Sequence, residues 1–397
     1  MAGLRKEPLI FQWGVSSYFG WGVYGLNLIR HLADDPFFTP IPACPVARET
    51  ITLNESGWQS VGPILTLAEQ FQAALRLSAG QNITLPYPLL QGLGHNLTPG
   101  GGTAHGVTLQ SERMVGVVFF ENRLFDASAR ERAQRYRKII AGSSWNETVL
   151  REMGIDHVVK VLQGIDRSLF HPAPPTQTRF PGFTIFSGGK IEPRKGQDLV
   201  LLAFRAFHQR HPDAVLVTAW HSPWQHFGEI NEFGDRIAPP PWRDGRVDVT
   251  SWATANGIPA EAVIDLGAVP NPAMPAILRE MKVALFANRC EGGTNLMAME
   301  AMACGVPTIL SANTGHLDLI QPGTCLPLSR QRRILHPATE GWGESDLEEM
   351  VESLEQLYQN QTLAHRLSSG GAALMGDFDW RDRICHLRDE LLAAFVF

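Results

Sequence analysis

Short, nearly unbroken apolar runs alternate with stretches of helical period along almost the whole chain, and few folds can accommodate that pattern. The runs LIFQWGV (9–15), MVGVVFF (114–120), KIIAGS (138–143) and VVKVLQG (158–164) alternate with helix-period stretches near 22–34, 63–79, 126–137 and 145–153. Beyond residue 182 the alternation resumes with FTIFSGG (183–189), AVLVTAW (214–220), VIDLG (263–267), VALFA (283–287) and PTILSA (307–312). A strand with one wet face alternates apolar and polar residues. These runs do not, so both faces are covered, as in parallel sheets clad by helices. Between the two sets lies HPAPPTQTRFPG (171–182), whose four prolines describe an extended connector. From about 344 onward the pattern is helical, ending in LRDELLAAFVF. The sequence therefore predicts an α/β protein of two doubly wound, Rossmann-like domains, 1–172 and 173–378, facing a central cleft, with a helix over 379–397 returning to the first.

Composition narrows the function. With 397 residues, 44% of them apolar, the chain is long enough for two cores. Its 34 basic and 40 acidic residues leave a net charge of −6, which argues against a nucleic-acid partner held by phosphate neutralisation. The five cysteines form no C-x-x-C pair, so neither a disulfide framework nor a zinc site is expected, and the compartment is read as reducing. The N-terminal segment interrupts its apolar run with charge, Pro8 and glycines and reads as a first strand, not a signal peptide. With no apolar run near the roughly 18 residues of a spanning helix, the expectation is a cytoplasmic protein. Arg130, Arg132, Arg135, Arg137 and Lys138 crowd one predicted helix. Such a helix is either a solvated face or a patch for peripheral contact with an anionic membrane.

In parallel α/β domains the chemistry belongs in strand-to-helix loops. Gly20-Trp-Gly-Val-Tyr-Gly25 has the G-x-G-x-x-G spacing of a dinucleotide site, but Ser16–Phe19 intervene after the strand and only Glu49 follows as an acidic candidate. A tight structural turn accounts for these glycines better, as does a backbone that approaches a ligand held by the facing domain. The loop FSGGKIEPRKGQD (186–198) places Lys190, Arg194 and Lys195 at a helix N-terminus, where their charge opposes the dipole unless an anion binds. In NRCEGGTNLMAMEAMACGVP (288–307), Glu291 and Glu300 are nine residues apart and could not share one face of a continuous helix. Glu291 therefore belongs to the loop, Gly292 and Gly293 let the backbone turn closely around a ligand, and Glu300 projects from the following helix.

The segments VLQGIDRSLFHP (161–172), GGKIEPRKGQDL (188–199), EGGTNLMAMEAMACGVPTIL (291–310), GHLDLI (315–320) and FDW (378–380) together resemble glycosyltransferase family 4, the retaining GT-B enzymes also called group 1 glycosyltransferases. The resemblance is strongest from about 138 to 380. It implies the GT-B fold and sugar transfer from a nucleotide-sugar donor, such as a UDP- or GDP-sugar, without a metal or other cofactor. The acceptor is a hydroxyl on a glycan, a lipid-linked molecule or another partner. It implies that Lys195, and Lys190 where the family usually has arginine, bind the donor diphosphate, that Glu300 binds the ribose hydroxyls, and that Glu291 with Gly292, Gly293, Thr294, Asn295 and Leu296 holds the donor sugar and diphosphate. Gly20 and Gly22 line the facing side.

Three features depart from the family. Its two glutamates usually stand eight apart, so here either Glu291 is displaced by a bulge or Gly292 takes its place. The histidine common in the first half is missing, and Glu121, after MVGVVFF, is the acid that would face the acceptor, unless it merely pairs with Arg123 or the basic helix. Thr218-Ala-Trp-His221 replaces a glycine-rich turn and leaves His221 as a candidate to stack on the base. Rival readings are a nucleotide-sugar epimerase or phosphorylase of the same fold, or a nucleotide-binding protein without turnover.

Overall fold

The computed structural model describes residues 6–175, 178–221 and 236–395; positions 1–5 of the expected first strand, 176–177 of the connector and the final two residues of the tail lie outside the described residues. The first half contains β1 (Glu7–Gln12), α1 (Gly20–Leu32), β2 (Phe38–Pro42), α2 (Glu55–Leu75), β3 (Leu89–Leu93), β4 (Met114–Val118), α3 (Ala129–Ala133), β5 (Lys138–Ala141), α4 (Ser144–Glu152) and β6 (Val158–Lys160). The second contains β7 (Phe183–Gly188), α5 (Gln197–His208), β8 (Ala214–Ala219), α6 (Val249–Ala255), β9 (Val263–Asp265), α7 (Met274–Leu278), β10 (Val283–Phe286), α8 (Leu296–Ala303), β11 (Thr308–Ser311) and β12 (Leu326–Leu328), followed by α9 (Leu347–Gln359), α10 (Gln361–Met375) and α11 (Trp380–Phe395). Each half forms a six-stranded parallel sheet, ordered β2-β1-β3-β4-β5-β6 and β9-β8-β7-β10-β11-β12. In both, the strand order reverses beside the first strand, so the crevice for a ligand lies past the carboxyl ends of β1 and β3 on one side and of β7 and β10 on the other.

The unbroken apolar runs explain this architecture. β7, β8, β10 and β11 are buried along their whole length, and their two faces feed separate clusters, Ile185 and Leu216 into one, Phe186 and Val217 into the other. α2 begins at Asn54, whose side chain caps Gly57 N–H, and carries Pro63 inside it, so the helix starts eight residues before the sequence pattern suggests. α11 lies on the first half: Trp380, Ile384, Leu387, Leu391 and Phe395 join the cluster of Leu28, Ile29 and Leu90. The chain therefore crosses between the halves twice. The crossings touch, with Ile165 N–H donating to Phe378 O at 2.6 Å and Trp380 N–H donating to Ile165 O at 3.1 Å. A Cβ on Gly164 would stand 2.6 Å from Trp380 Cα, so only glycine fits there.

The predicted basic helix over 126–137 is not present as such. Only Ala129–Ala133 is α-helical, Lys138 begins β5, Arg132 pairs with Asp126 at 2.7 Å and Lys138 pairs with Glu390 of α11 at 2.5 Å. Arg130 and Arg132 lie on α3, Arg135 and Arg137 in the turn after it and Lys138 on β5, so the five cations do not share one helical face. Among the described residues no helix is long and apolar enough to cross a membrane.

Candidate active site

A cavity of about 580 Å3 opens between the carboxyl edges of the two sheets. Its charged side is built by the turn after β7. Pro193–Lys195 make one turn of 3-10 helix, and Gly196, at φ 69°, passes the chain into α5. A Cβ on Gly196 would lie 2.0 Å from Ala287 O, so the loop after β10 seats against bare backbone here.

The three cations of this turn are not the unopposed positive loop that the sequence suggests. Arg194 meets Glu121 at 2.8 Å, Glu192 at 2.7 Å and Glu291 at 3.5 Å; Lys195 pairs with Glu291, and Lys190 with Glu192 at 2.7 Å. Three carboxylates balance three cations. Burial alone would raise the Glu291 carboxyl, but Lys195 and Arg194 outweigh it and hold it down at about 2. Burial lowers the Lys195 ammonium despite Glu291 beside it. Burial works against the Arg194 guanidinium as well, but Glu121, Glu192 and Glu291 together raise it. Glu121 stands at the first half's edge after β4 and pairs across the cleft with Arg194, not with Arg123, which pairs with Glu152.

The structure places Glu291 in the loop and Glu300 on α8, and both line the cavity. Glu291 N–H donates to Thr314 Oγ1 at 2.8 Å, and its carboxylate accepts from Asn288 and Lys195. The chain enters α8 through Asn295 at φ 64°, a strained conformation for a residue with a side chain. Asn295 Nδ2 lies 3.0 Å from His316 Nε2, while His316 Nδ1 lies 3.2 Å from Ser311 O. Burial drives the imidazole down to about 4, so it is neutral, with its proton on Nδ1 and Nε2 accepting from Asn295.

Glu300 is 3% exposed. Its Oε1 accepts from Asn271 Nδ2, and its Oε2 is buried with no hydrogen-bond partner. Burial pushes its carboxyl up to about 8, with Asn271 pulling the other way. Asn271 also donates its backbone N–H to Ser17 O of the first half at 2.7 Å. Sequence reasoning missed Asn271, His316 and Arg289. Arg289 is buried, holds both Asp198 oxygens at 2.7 and 2.6 Å, and donates to Pro193 O, bracing the turn that carries Arg194 and Lys195. The signal for Asn271 was its place in the loop after the VIDLG strand; buried partners such as Arg289 and Asp198 leave no mark in spacing.

Gly20, Gly293, Asn295 and Leu296 also line the cavity, as do Lys190 and Lys195. Gly22, Gly292 and Thr294 do not. A Cβ on Gly22 would lie 2.7 Å from Ser16 Cβ, so that glycine serves the turn into α1. One on Gly292 would lie 2.2 Å from Phe119 O, so that glycine lets the halves meet, and Ser143 Oγ donates to its carbonyl at 2.7 Å. Thr294 Oγ1 turns inward to Met299 Sδ at 2.9 Å. His221 lies half-buried on the cavity wall, and burial lowers its imidazole.

Residues 182–360 match the family model described as "Glycosyl transferases group 1". That stretch holds Lys190, Lys195, Glu291 and Glu300 and is similar to group 1 glycosyltransferases. Across both halves the fold is shared with sucrose-phosphate synthase of Thermosynechococcus elongatus, at 16% identity and a TM-score of 0.60 over 98% of this chain and 100% of that one. It is shared equally with Anabaena Alr3699/HepE, solved with UDP and glucose, at 15% identity and a TM-score of 0.60 over 98% and 99%. A glycosyltransferase from Rickettsia africae matches at 10% identity and a TM-score of 0.60 over 98% and 99%. At such identities the likeness establishes the fold, which is GT-B. No curated protein matches the chain in sequence.

Proposed function

We propose that this protein is a group 1 glycosyltransferase of the retaining, family 4 type, moving a sugar from a nucleoside-diphosphate sugar to an acceptor hydroxyl without a divalent ion in the transfer step. Glu300 carries the reading. A buried carboxylate with one oxygen fixed by Asn271 and the other lacking a donor matches a ligand that brings a pair of hydroxyls, as a ribose does. About the turn after β7, Lys190, Arg194, Lys195 and the first amides of α5 would receive the diphosphate. Because Lys195 and Arg194 already hold Glu291, the diphosphate shares their N–H groups with that carboxylate.

In the reaction the bond from the anomeric carbon to the diphosphate oxygen breaks and a bond to the acceptor oxygen forms on the same face of the sugar. The negative charge that grows on the leaving oxygen falls against fixed cations and needs no reorganisation. The acceptor's proton passes to an oxygen on that face, and Glu121 is the carboxylate that the first half offers there. Anabaena HepE was solved with UDP and glucose, which makes UDP-glucose the first donor to try. The test is a thermal-shift panel of nucleotides and nucleotide sugars, followed by nucleotide release on adding alcohols. A ligand at a hundredfold excess over Kd stabilises by about 2.7 kcal/mol. No shift with any nucleotide, or donor binding with no transfer to any alcohol, would overturn the reading.

A further inference from the structure

The two walls of the cavity differ in chemistry. Lys190, Arg194, Lys195 and His221 all belong to the second half. The first half presents the rings of Trp13, Tyr18, Phe19, Trp21 and Phe119, and Glu121 is the one charged side chain it adds among the described lining residues. Its other basic groups are elsewhere: Arg132 is held by Asp126 and Lys138 by Glu390.

Trp21 is the fixed element of this wall. Its ring lies 5.4 Å from that of Trp13 and 4.8 Å from that of Phe119, which meets it edge-on. It rests on Gly92, where a Cβ would come within 3.2 Å of its Cη2. A partly exposed ring already held on three sides loses little freedom when a ligand covers it. Beside it, Gly100, Gly101 and Gly102 line the cavity without side chains, and the space where a Cβ on Gly102 would project is empty within 4 Å. Gln12 ties this loop down, donating to Gly101 O at 2.9 Å while accepting from Gln91 at 2.8 Å.

An acceptor carrying phosphate would press a charge against aromatic rings and the Glu121 carboxylate, whose cation across the cleft, Arg194, is already shared among Glu121, Glu192 and Glu291. A long alkyl chain would leave Glu121 and the bare peptide edges unmatched. A sugar ring has an apolar C–H face and a rim of hydroxyls, which fits a flat ring flanked by glycine peptides and one carboxylate. The geometry points to an uncharged sugar as the acceptor, stacked on Trp21 with its hydroxyl rim toward the Gly100–Gly102 loop and Glu121. The inference rests on the donor reading above.

The experiment titrates the full chain, saturated with UDP, with methyl α-glucoside, maltose and glucose 6-phosphate, and with anionic phospholipid vesicles, following binding by saturation-transfer NMR and UDP affinity by calorimetry. The expected result is saturation of the ring C–H protons of a neutral sugar, and binding of glucose 6-phosphate weaker by roughly tenfold or more. Trp21→Ala should lose the signal, Trp21→Phe should retain most of it, and both should keep the wild-type UDP affinity. Glucose 6-phosphate binding as tightly as the neutral sugars, binding to vesicles alone, no binding of any neutral sugar, or an unchanged signal in Trp21→Ala overturns the inference while UDP binding leaves the donor reading standing. Failure of the wild-type chain to bind UDP or any other nucleoside diphosphate removes the donor reading and this inference with it. The comparison of neutral and phosphorylated sugars uses the wild-type chain, so it decides even if Trp21→Ala fails to fold.

Discussion

Replacing Glu300 with glutamine should make the free protein more stable and its nucleotide complex weaker. Burial raises this carboxyl from its ordinary 4.5 to about 8. The folded chain therefore holds a proton that the unfolded chain has lost, and the contribution of this group to stability, complete below about pH 4.5, falls away as pH rises toward 8. At about 1.4 kcal/mol for each pH unit between the two values, the loss approaches 5 kcal/mol as an upper bound near pH 8 and above. Glutamine keeps an oxygen for Asn271 and carries no charge at any pH, so Glu300→Gln should melt higher than the wild type at pH 8.5 by several degrees and no higher at pH 4.5. The hydroxyls of a bound ribose would stabilise the ionised carboxylate, so nucleotide affinity of the wild type should rise by up to tenfold per unit between about pH 6 and 8, with release of a proton, and that slope should vanish in the variant. Melting curves across that pH range with and without UDP, and calorimetry in two buffers of different ionisation enthalpy, measure all of this. A variant that melts no higher at pH 8.5, or one that keeps the wild-type UDP affinity and pH slope, would refute the assignment of Glu300 to the nucleotide.

Lys195→Ala should lower kcat about a hundredfold at saturating donor, since it removes a preorganised contact to the leaving group; turnover close to wild type would show that the diphosphate sits elsewhere. Glu121→Gln should cut kcat by roughly a hundredfold or more with little change in melting temperature, because Glu192 still holds Arg194. A lower melting temperature with kcat retained would leave Glu121 as a partner of Arg194 and nothing more. Transfer should continue in EDTA, the cations of the turn after β7 taking the place of a divalent ion; activity lost on chelation and restored by Mg2+ or Mn2+ would count against the leaving-group model.

Which parts of this structure could be read beforehand follows from how far each depends on partners distant in sequence. Fully apolar runs such as AVLVTAW mark strands buried on both faces because nothing else explains them locally. LLQGL, the strand β3 at the crevice of the first sheet, went unread: it is short, contains Gly92 and follows Pro86 and Pro88, and only β1 and β4 on either side make it a strand. The helix period near 126–137 misled because Tyr136 and Ala133 are apolar for a different reason, packing beneath β5. At the site, residue types at motif spacing could be named, but not their charge balance. That Lys195 and Arg194 spend their charge on Glu291 and Glu121 depends on a turn, a loop and the opposite domain arriving together. Gly292 and Gly293 look interchangeable in the sequence, yet one faces the cavity and the other a carbonyl of the first half.

The paired crossings at Ile165 and Phe378–Trp380 set how this molecule can move. Two bodies joined by a single thread swivel in any direction. Joined by two threads hydrogen-bonded side by side, they behave like a door on its frame, swinging about one line and returning each time to the same seat. Phe119 and Gly292, which tolerate no atom between them, can then part and meet again in register. A protease that cut the proline-rich stretch 171–182 would leave two chains with no covalent bond between them, held together by the apolar face of α11 on the first half.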